Sequence, residues 1–234
     1  MRLAVSGSAA LPVGVLERWK DLTGHVLLER YGMTEIGMAL SNPLKGERRP
    51  GCVGQPLPGV EVRLADDSGA IVSEPGAPGE IEVRGPGVFS DYWGRPEETA
   101  PAFRDGWFRT GDVAVVEDGY YRLLGRRSMD IIKTGGYKVS ALQVEETLRE
   151  HEGVADCAVV GVPDPELGER LCGAVVPSEN VRLVASELIT WARSRLAPYK
   201  VPKEVSIVDA LPRNAMGKVQ KQDVKTLFKR GAPE

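Results

Sequence analysis

Histidine and cysteine are almost absent: the 234-residue chain has two of the first and three of the second. His25 and His151 stand in no partnered pattern, so neither is a candidate for catalysis. Cys52, Cys157 and Cys172 are odd in number, far apart and outside any metal-ligand spacing. They exclude a disulfide framework and a Cys/His metal centre, and read as ordinary thiols of a reducing compartment. No apolar run approaches the roughly 20 residues that a membrane-crossing helix needs, so no transmembrane segment is expected. Charge of one sign is lacking too. The 30 Lys and Arg and 33 Asp and Glu leave a net charge of −3. That balance gives no bulk attraction to nucleic acid or an anionic membrane, and a polyanionic ligand has to be held by local groups. Internal repeats and low-complexity tracts are missing as well.

What is present is a globular composition, 42% hydrophobic and 27% charged, long enough for one large domain or two ordinary ones. The run from Met1 to Gly7 is apolar and ends on a glycine, like a buried strand over residues 2–6 that stops at a site. It is neither a signal peptide nor an Arg/Ser-rich transit peptide. Strands buried on both faces seldom open a domain, so the sequence is expected to start inside a larger fold. Pro12 at a first helical position, Leu16 and Trp19 three apart, and Gly24 as a stop predict a helix over about 12–23. Val26, Leu27 and Leu28 predict a second short strand. It would deliver Tyr31 to Glu35 into a loop at its carboxyl end, where open α/β sheets place ligands.

From Pro50 to Leu124 the texture is β-rich, with hairpin signals at Asp67-Ser68-Gly69 and Asp118-Gly119. Beyond it, Ser140 and Gln143 form a capping-box signature for a helix over about 141–150. Strand-like runs follow at 158–160, 173–176 and 205–208. Leu188, Trp191, Ala192 and Leu196 have helical spacing, and 221–230 reads as a final basic helix. The expected fold class is α/β plus a β-rich segment, followed by a small α+β carboxyl-terminal domain. Residues 1–125 form the first part (a sheet remnant at 1–49 and a β-rich subdomain at 50–125). A polar, turn-free hinge at 126–130 leads to a mobile domain at 131–234.

Several segments could carry chemistry. Tyr31-Gly32-Met33-Thr34-Glu35 combines a flexible glycine, a hydroxyl for a phosphate oxygen and a carboxylate for a hard cation such as magnesium. A plain turn with a capping threonine is the alternative. Asp112, at the end of Trp107-Phe108-Arg109-Thr110-Gly111, could accept two vicinal ribose hydroxyls or be a simple turn aspartate. The small residues Ser6 to Ala10 let a ligand approach backbone, or let a helix pack tightly on a strand. Lys133-Thr134-Gly135-Gly136-Tyr137 reads as a hairpin whose backbone comes close to something. Gly217-Lys218 could bring an ammonium to a charged transition state. Arg127, Lys221 and Lys225 read as solvated charges; Arg193, Arg195, Lys200 and Lys203 could meet the phosphates of a ligand such as CoA, with a solvated face as the favoured reading.

In order and rough spacing, the Tyr31–Glu35 segment, Arg109-Thr110-Gly111-Asp112, Gly125-Arg126 with Lys133–Tyr137, and Pro212–Lys221 resemble the acyl-adenylate-forming (AMP-binding) superfamily. The likeness covers the whole chain and is that of a carboxyl-terminal half. It implies an acyl-CoA synthetase, an acid–thiol ligase that uses ATP, Mg2+ and coenzyme A through an acyl-AMP intermediate. By the same resemblance Ser8 and Ala9 line the acyl and adenine pocket. Tyr31, Gly32, Met33 and Thr34 hold the nucleotide, with Tyr31 on the adenine, Thr34 on the phosphate and Glu35 on the metal. Asp112 and Arg126 fix the nucleotide. Lys133, Gly135, Gly136 and Tyr137 serve the thioester step with CoA. Lys218 is the catalytic cation of the first step, and the pivot falls near Ser128 and Met129.

The wording of residues 29–40 and 131–142 is most similar to malonyl-CoA synthetases of the animal mitochondrial type. That implies malonate or methylmalonate as substrate and the mitochondrial matrix as location, with the cytoplasm as the alternative. The superfamily's Ser/Thr/Gly-rich phosphate loop is not found. By this reading the chain is truncated and does not make an acyl-adenylate alone. The competing expectation is a non-catalytic short isoform or fragment that binds nucleotide, CoA or a partner without turnover.

Overall fold

The structure, a computed structural model, describes residues 2–228. It divides into two compact units, Met1–Arg127 and Ser128–Glu234. In the first, β1 (Val5–Ser6), β2 (Leu28–Met33), β3 (Gly37–Ser41) and β4 (Gln55–Pro56) form one sheet in that order, with α1 (Val13–Thr23) between β1 and β2. β1 runs parallel to β2, and the other pairs are antiparallel. A second sheet has the order β5 (Glu61–Ala65), β6 (Gly79–Arg84), β8 (Trp107–Glu117) and β7 (Phe103–Arg104), with β9 (Tyr120–Arg126) paired to β8. The helix α2 (Pro96–Ala102) leads into β7. Ile36, Leu40, Leu64, Ile81, Val83, Phe108 and Tyr121 join the two sheets' apolar faces in one buried cluster.

Three local expectations are corrected here. The first strand is only Val5–Ser6, and Leu3 and Val5 are each 42% exposed rather than buried. Pro12 is the N-cap of α1 with an extended ψ of 136°, so the helix starts one residue later; Gly24 closes it in the left-handed region as expected. Most consequential, β2 begins at Leu28 and continues through Tyr31, Gly32 and Met33. The motif is therefore the end of a strand and a tight turn at 34–36 leading back into β3, not a loop. Antiparallel pairing with β3, with a bulge between Tyr31 and Gly32, keeps these residues extended.

The second unit is built on the sheet β11 (Tyr137–Ser140), β10 (Ile131–Thr134), β13 (Gly168–Pro177), β12 (Val154–Asp164), with β14 (Glu204–Ile207) parallel to β13. Ser140 caps α3 (Ala141–Arg149) by accepting from the Gln143 backbone N–H. Helices α4 (Ala185–Arg193) and α5 (Lys221–Thr226) complete it; residues 229 and 230 of the expected final helix lie outside the described residues. Side chains alternate across the long β12–β13 pair. Cys157, Val159, Leu171 and Val175 pack with Val144, Leu148, Leu188 and Ala192 on one face. Ala158, Val160, Cys172 and Ala174 pack with Leu211, Val224 and Phe228 on the other. Residues 127–130 form a turn, so the junction is not turn-free.

Burial pushes the Cys157 thiol up to about 12. In the unfolded chain a thiol ionises near about 8.5, so this group's contribution is complete below that pH and is lost as pH rises toward the folded value. Stability to urea is expected to fall between pH 8.5 and 10 on this account, and Cys157→Ala to flatten that limb. An unchanged slope in the variant would show that the thiol is not the group responsible.

Candidate functional site

The first unit gathers three of the sequence candidates around one carboxylate. Asp112 sits in β8 directly opposite Arg126 in β9, and its side chain is 13% exposed. The Tyr31 hydroxyl donates to its Oδ2 at 2.7 Å, and Arg126 Nε pairs with Oδ1 at 3.0 Å. Its backbone N–H donates to Thr110 Oγ1 at 3.1 Å, while the Thr110 hydroxyl donates to the Ile81 carbonyl at 2.9 Å. Burial, reinforced by the Asp112 charge, raises the Tyr31 phenol far above its usual range. Asp112 is thus an oriented acceptor, and Tyr31 is a buried donor that holds it.

Gly32 is needed by the hairpin itself. A Cβ there would collide with the Gly37 carbonyl and crowd the Met38 methyl. Thr34 is exposed at the turn, and its hydroxyl makes no hydrogen bond among the described residues. Glu35 is half-buried and its Oε1 accepts from the Tyr92 hydroxyl at 3.1 Å. Tyr92 was not singled out in the sequence; it is placed by its ring, edge-on to Phe89 at 4.7 Å, and by the Phe89 N–H bond to the Glu35 carbonyl. Ser8 and Ala9 are exposed just past β1, and Ser8 has φ +68°. Parallel pairing of Ser6 with Glu29 brings that loop beside β2, with Gly7 against the Arg30 backbone.

Arg127 corrects its reading as a solvated charge. Its guanidinium lies 3.1 Å from Asp67 and 3.3 Å from Glu80, a carboxylate that is 3% exposed and also pairs with Arg109. Desolvating Glu80 requires such partners, and only the fold brings them near.

In the second unit Gly135 and Gly136 have φ +53° and +83° and form the two-residue turn between β10 and β11. Lys133 donates its backbone N–H to Glu169. Tyr137, half-exposed, stacks on Tyr199 with ring centroids 4.1 Å apart and planes 9° apart. Lys218 lies in a separate loop after β14 and is exposed. Asn214 Oδ1 accepts from the Met216 and Lys218 N–H groups, each at 3.0 Å, and Gly217 turns the chain with φ +78°.

Lys221 is the larger correction. Its ammonium is buried between Asp130 at 2.5 Å and Glu145 at 2.8 Å. Lys200 donates to Gln143 at 3.2 Å, and Arg195 lies 4.0 Å over the Trp191 ring.

Five matches bear on this arrangement. Residues 1–93 match the AMP-binding enzyme family and residues 143–218 the AMP-binding enzyme C-terminal domain, together more than half of the chain. Mitochondrial malonate–CoA ligase ACSF3 of Bos taurus is 54% identical, over 100% of this chain and 44% of its own length. Malonate–CoA ligase of Arabidopsis thaliana is 48% identical over 96% of this chain and 38% of its own. The structure of ATP-bound MatB from Rhodopseudomonas palustris covers 98% of this chain and 46% of its own, at 42% identity and TM-score 0.92. The chain therefore spans less than half the length of these relatives, and it has their acyl-CoA synthetase-like fold. With the motif residues, the fold and both family matches in agreement, the chain belongs to the AMP-binding enzyme family.

Proposed function

We propose that the complete protein carrying this chain is an ATP-dependent acid–thiol ligase that joins malonate to coenzyme A through malonyl-AMP. The observation that carries the reading is the buried Asp112 carboxylate, oriented from both sides by Tyr31 and Arg126 in a chain of this family. A fixed carboxylate of this kind accepts ribose hydroxyls. The Tyr31–Met33 strand end carries the nucleotide-facing edge, the Thr34 hydroxyl meets the α-phosphate, and Ser8 and Ala9 line the pocket beside it. Malonate is favoured over other acids because the Bos taurus and Arabidopsis thaliana relatives are malonate–CoA ligases. Their mitochondrial naming supports that location. No helix among the described residues is long and apolar enough to cross a membrane.

Magnesium is compatible with Glu35. No group of three potential metal ligands occurs among the described residues, but a single half-buried carboxylate suits a hard cation that keeps water and phosphate oxygens as its other ligands. Bound there, the ion would neutralise phosphate charge. When the acid's carboxylate attacks the α-phosphate, negative charge gathers on the transferring group, and the Lys218 ammonium stabilises it. Lys133, Gly135, Gly136 and Tyr137 then serve the second step, in which the thiol of CoA displaces AMP. Rotation near Ser128 and Met129 exchanges one presentation for the other.

The test is a mass-resolved assay of the complete protein with ATP, magnesium and CoA, offered malonate, methylmalonate or acetate. Malonate-dependent AMP, pyrophosphate and malonyl-CoA are expected. ATP binding with no acid-dependent AMP would overturn the ligase reading and leave a nucleotide-binding protein without turnover.

A further inference from the structure

The ion pairs around Lys221 run as one chain through the second unit. Asp130, the last residue of the junction turn, receives the Lys221 ammonium and also fixes α3 by accepting the Ala141 N–H on its carbonyl at 2.7 Å. Lys221 reaches on to Glu145, whose Oε1 also accepts the Val159 N–H at 2.8 Å. Arg149 spans Glu145 at 3.9 Å and Asp156 at 3.5 Å. Asp156 then holds Arg213, which donates back to the Gly217 carbonyl at 2.5 Å. The loop carrying Lys218 is thus tethered on both flanks, at 213 and at 221, to the same side of α3 and β12.

Stability alone does not account for a buried ammonium here. Replacing a buried ion pair by well-packed apolar residues is often neutral or stabilising. What the pair supplies is geometry. It ties the residue that ends the junction turn to a residue three positions after Lys218.

Resting on the ligase reading above, we propose that Lys221 is a positioning residue, locking the Lys218 loop to Asp130 so that the loop moves as one piece with the turn that starts the second unit. Lys218 has no recorded charged partner of its own among the described residues, so its direction depends on this frame.

Two variants test it in the complete protein. Lys221→Met removes the ammonium, and Asp130→Asn loosens only the junction side, which keeps the test alive if the first variant does not fold. A misplaced catalytic group costs up to about 10²-fold, so malonyl-AMP formation is expected to slow by roughly 10- to 100-fold. The KM for malonate and thioester formation from supplied malonyl-AMP should shift less than about threefold. On a Lys218→Ala background neither variant should add more than about twofold, because the effect runs through Lys218. Amide exchange gives a readout independent of activity. In the 234-residue chain Lys221→Met should speed exchange at Met216, Gly217 and Lys218 by about tenfold or more, and leave Gly135 unchanged.

Unchanged adenylation, equal loss in both half-reactions, or full loss persisting without Lys218 would overturn the proposal. If the unaltered protein makes no acyl-AMP, the ligase reading fails by itself. The exchange measurement would then still decide whether Lys221 holds the loop.

Discussion

Lys218→Ala in the complete protein is expected to slow malonyl-AMP formation by roughly 10²–10³-fold, the cost of about 2.7–4 kcal/mol for one preorganised electrostatic contact. The reasoning is differential. Charge on the α-phosphoryl group is greater in the transition state than in bound ATP, so a fixed ammonium lowers the barrier more than it tightens binding. The exposed loop position of Lys218, with its N–H held by Asn214, suits a side chain delivered to a ligand rather than spent on packing. Malonyl-AMP supplied from outside should restore most thioester formation, because that step does not involve the same charge. Equal damage to both half-reactions would remove Lys218 from the role assigned to it.

Gly32→Ala is expected to unsettle the first unit and weaken nucleotide binding together. The added methyl group meets the Gly37 carbonyl, which belongs to backbone and cannot swing away. Overpacking of this kind costs about 1–3 kcal/mol and occasionally more. For a chain this size each kcal/mol lowers the thermal midpoint by about 2–4 °C. Opening the hairpin also shifts Tyr31, one residue earlier, and with it the donor that orients Asp112. Gly37→Ala is the comparison: it has φ +62° but open space around its Cβ, so only left-handed strain of about 1–2 kcal/mol applies. Differential scanning of both variants and an ATP-binding titration decide the matter. A Gly32→Ala protein of unaltered midpoint that had lost ATP would mean that the glycine serves the nucleotide site, as the family resemblance implies, and not hairpin closure.

Local structure was legible wherever a residue's own backbone preference decides it. Asp118-Gly119 and Gly135-Gly136 are turns because those residues tolerate positive φ. Ser140 begins a helix because its hydroxyl satisfies an N–H that the helix leaves open. The motif that holds Tyr31 to Glu35 was found, but its shape was misread. Val26 to Leu28 suggested where a strand lay, whereas the extent of β2 depends on pairing with β3, a partner that no period within β2 reveals.

Residue types and their order along the chain sufficed to name the family and to nominate Asp112, Arg126, Glu35 and Lys218. Which of these meet, and what holds them, was decided only by the fold. Tyr31 and Asp112 are 81 residues apart and bond because two sheets close on one core. Arg127 and Lys221 look in sequence like any solvated charge, yet each is paired with a carboxylate that folding has withdrawn from water, Glu80 for one and Glu145 for the other. A long charged side chain carries no periodic signature of burial, since its partner comes from a distant strand or helix. The cost of leaving a buried carboxylate alone exists only after the backbone has folded around it.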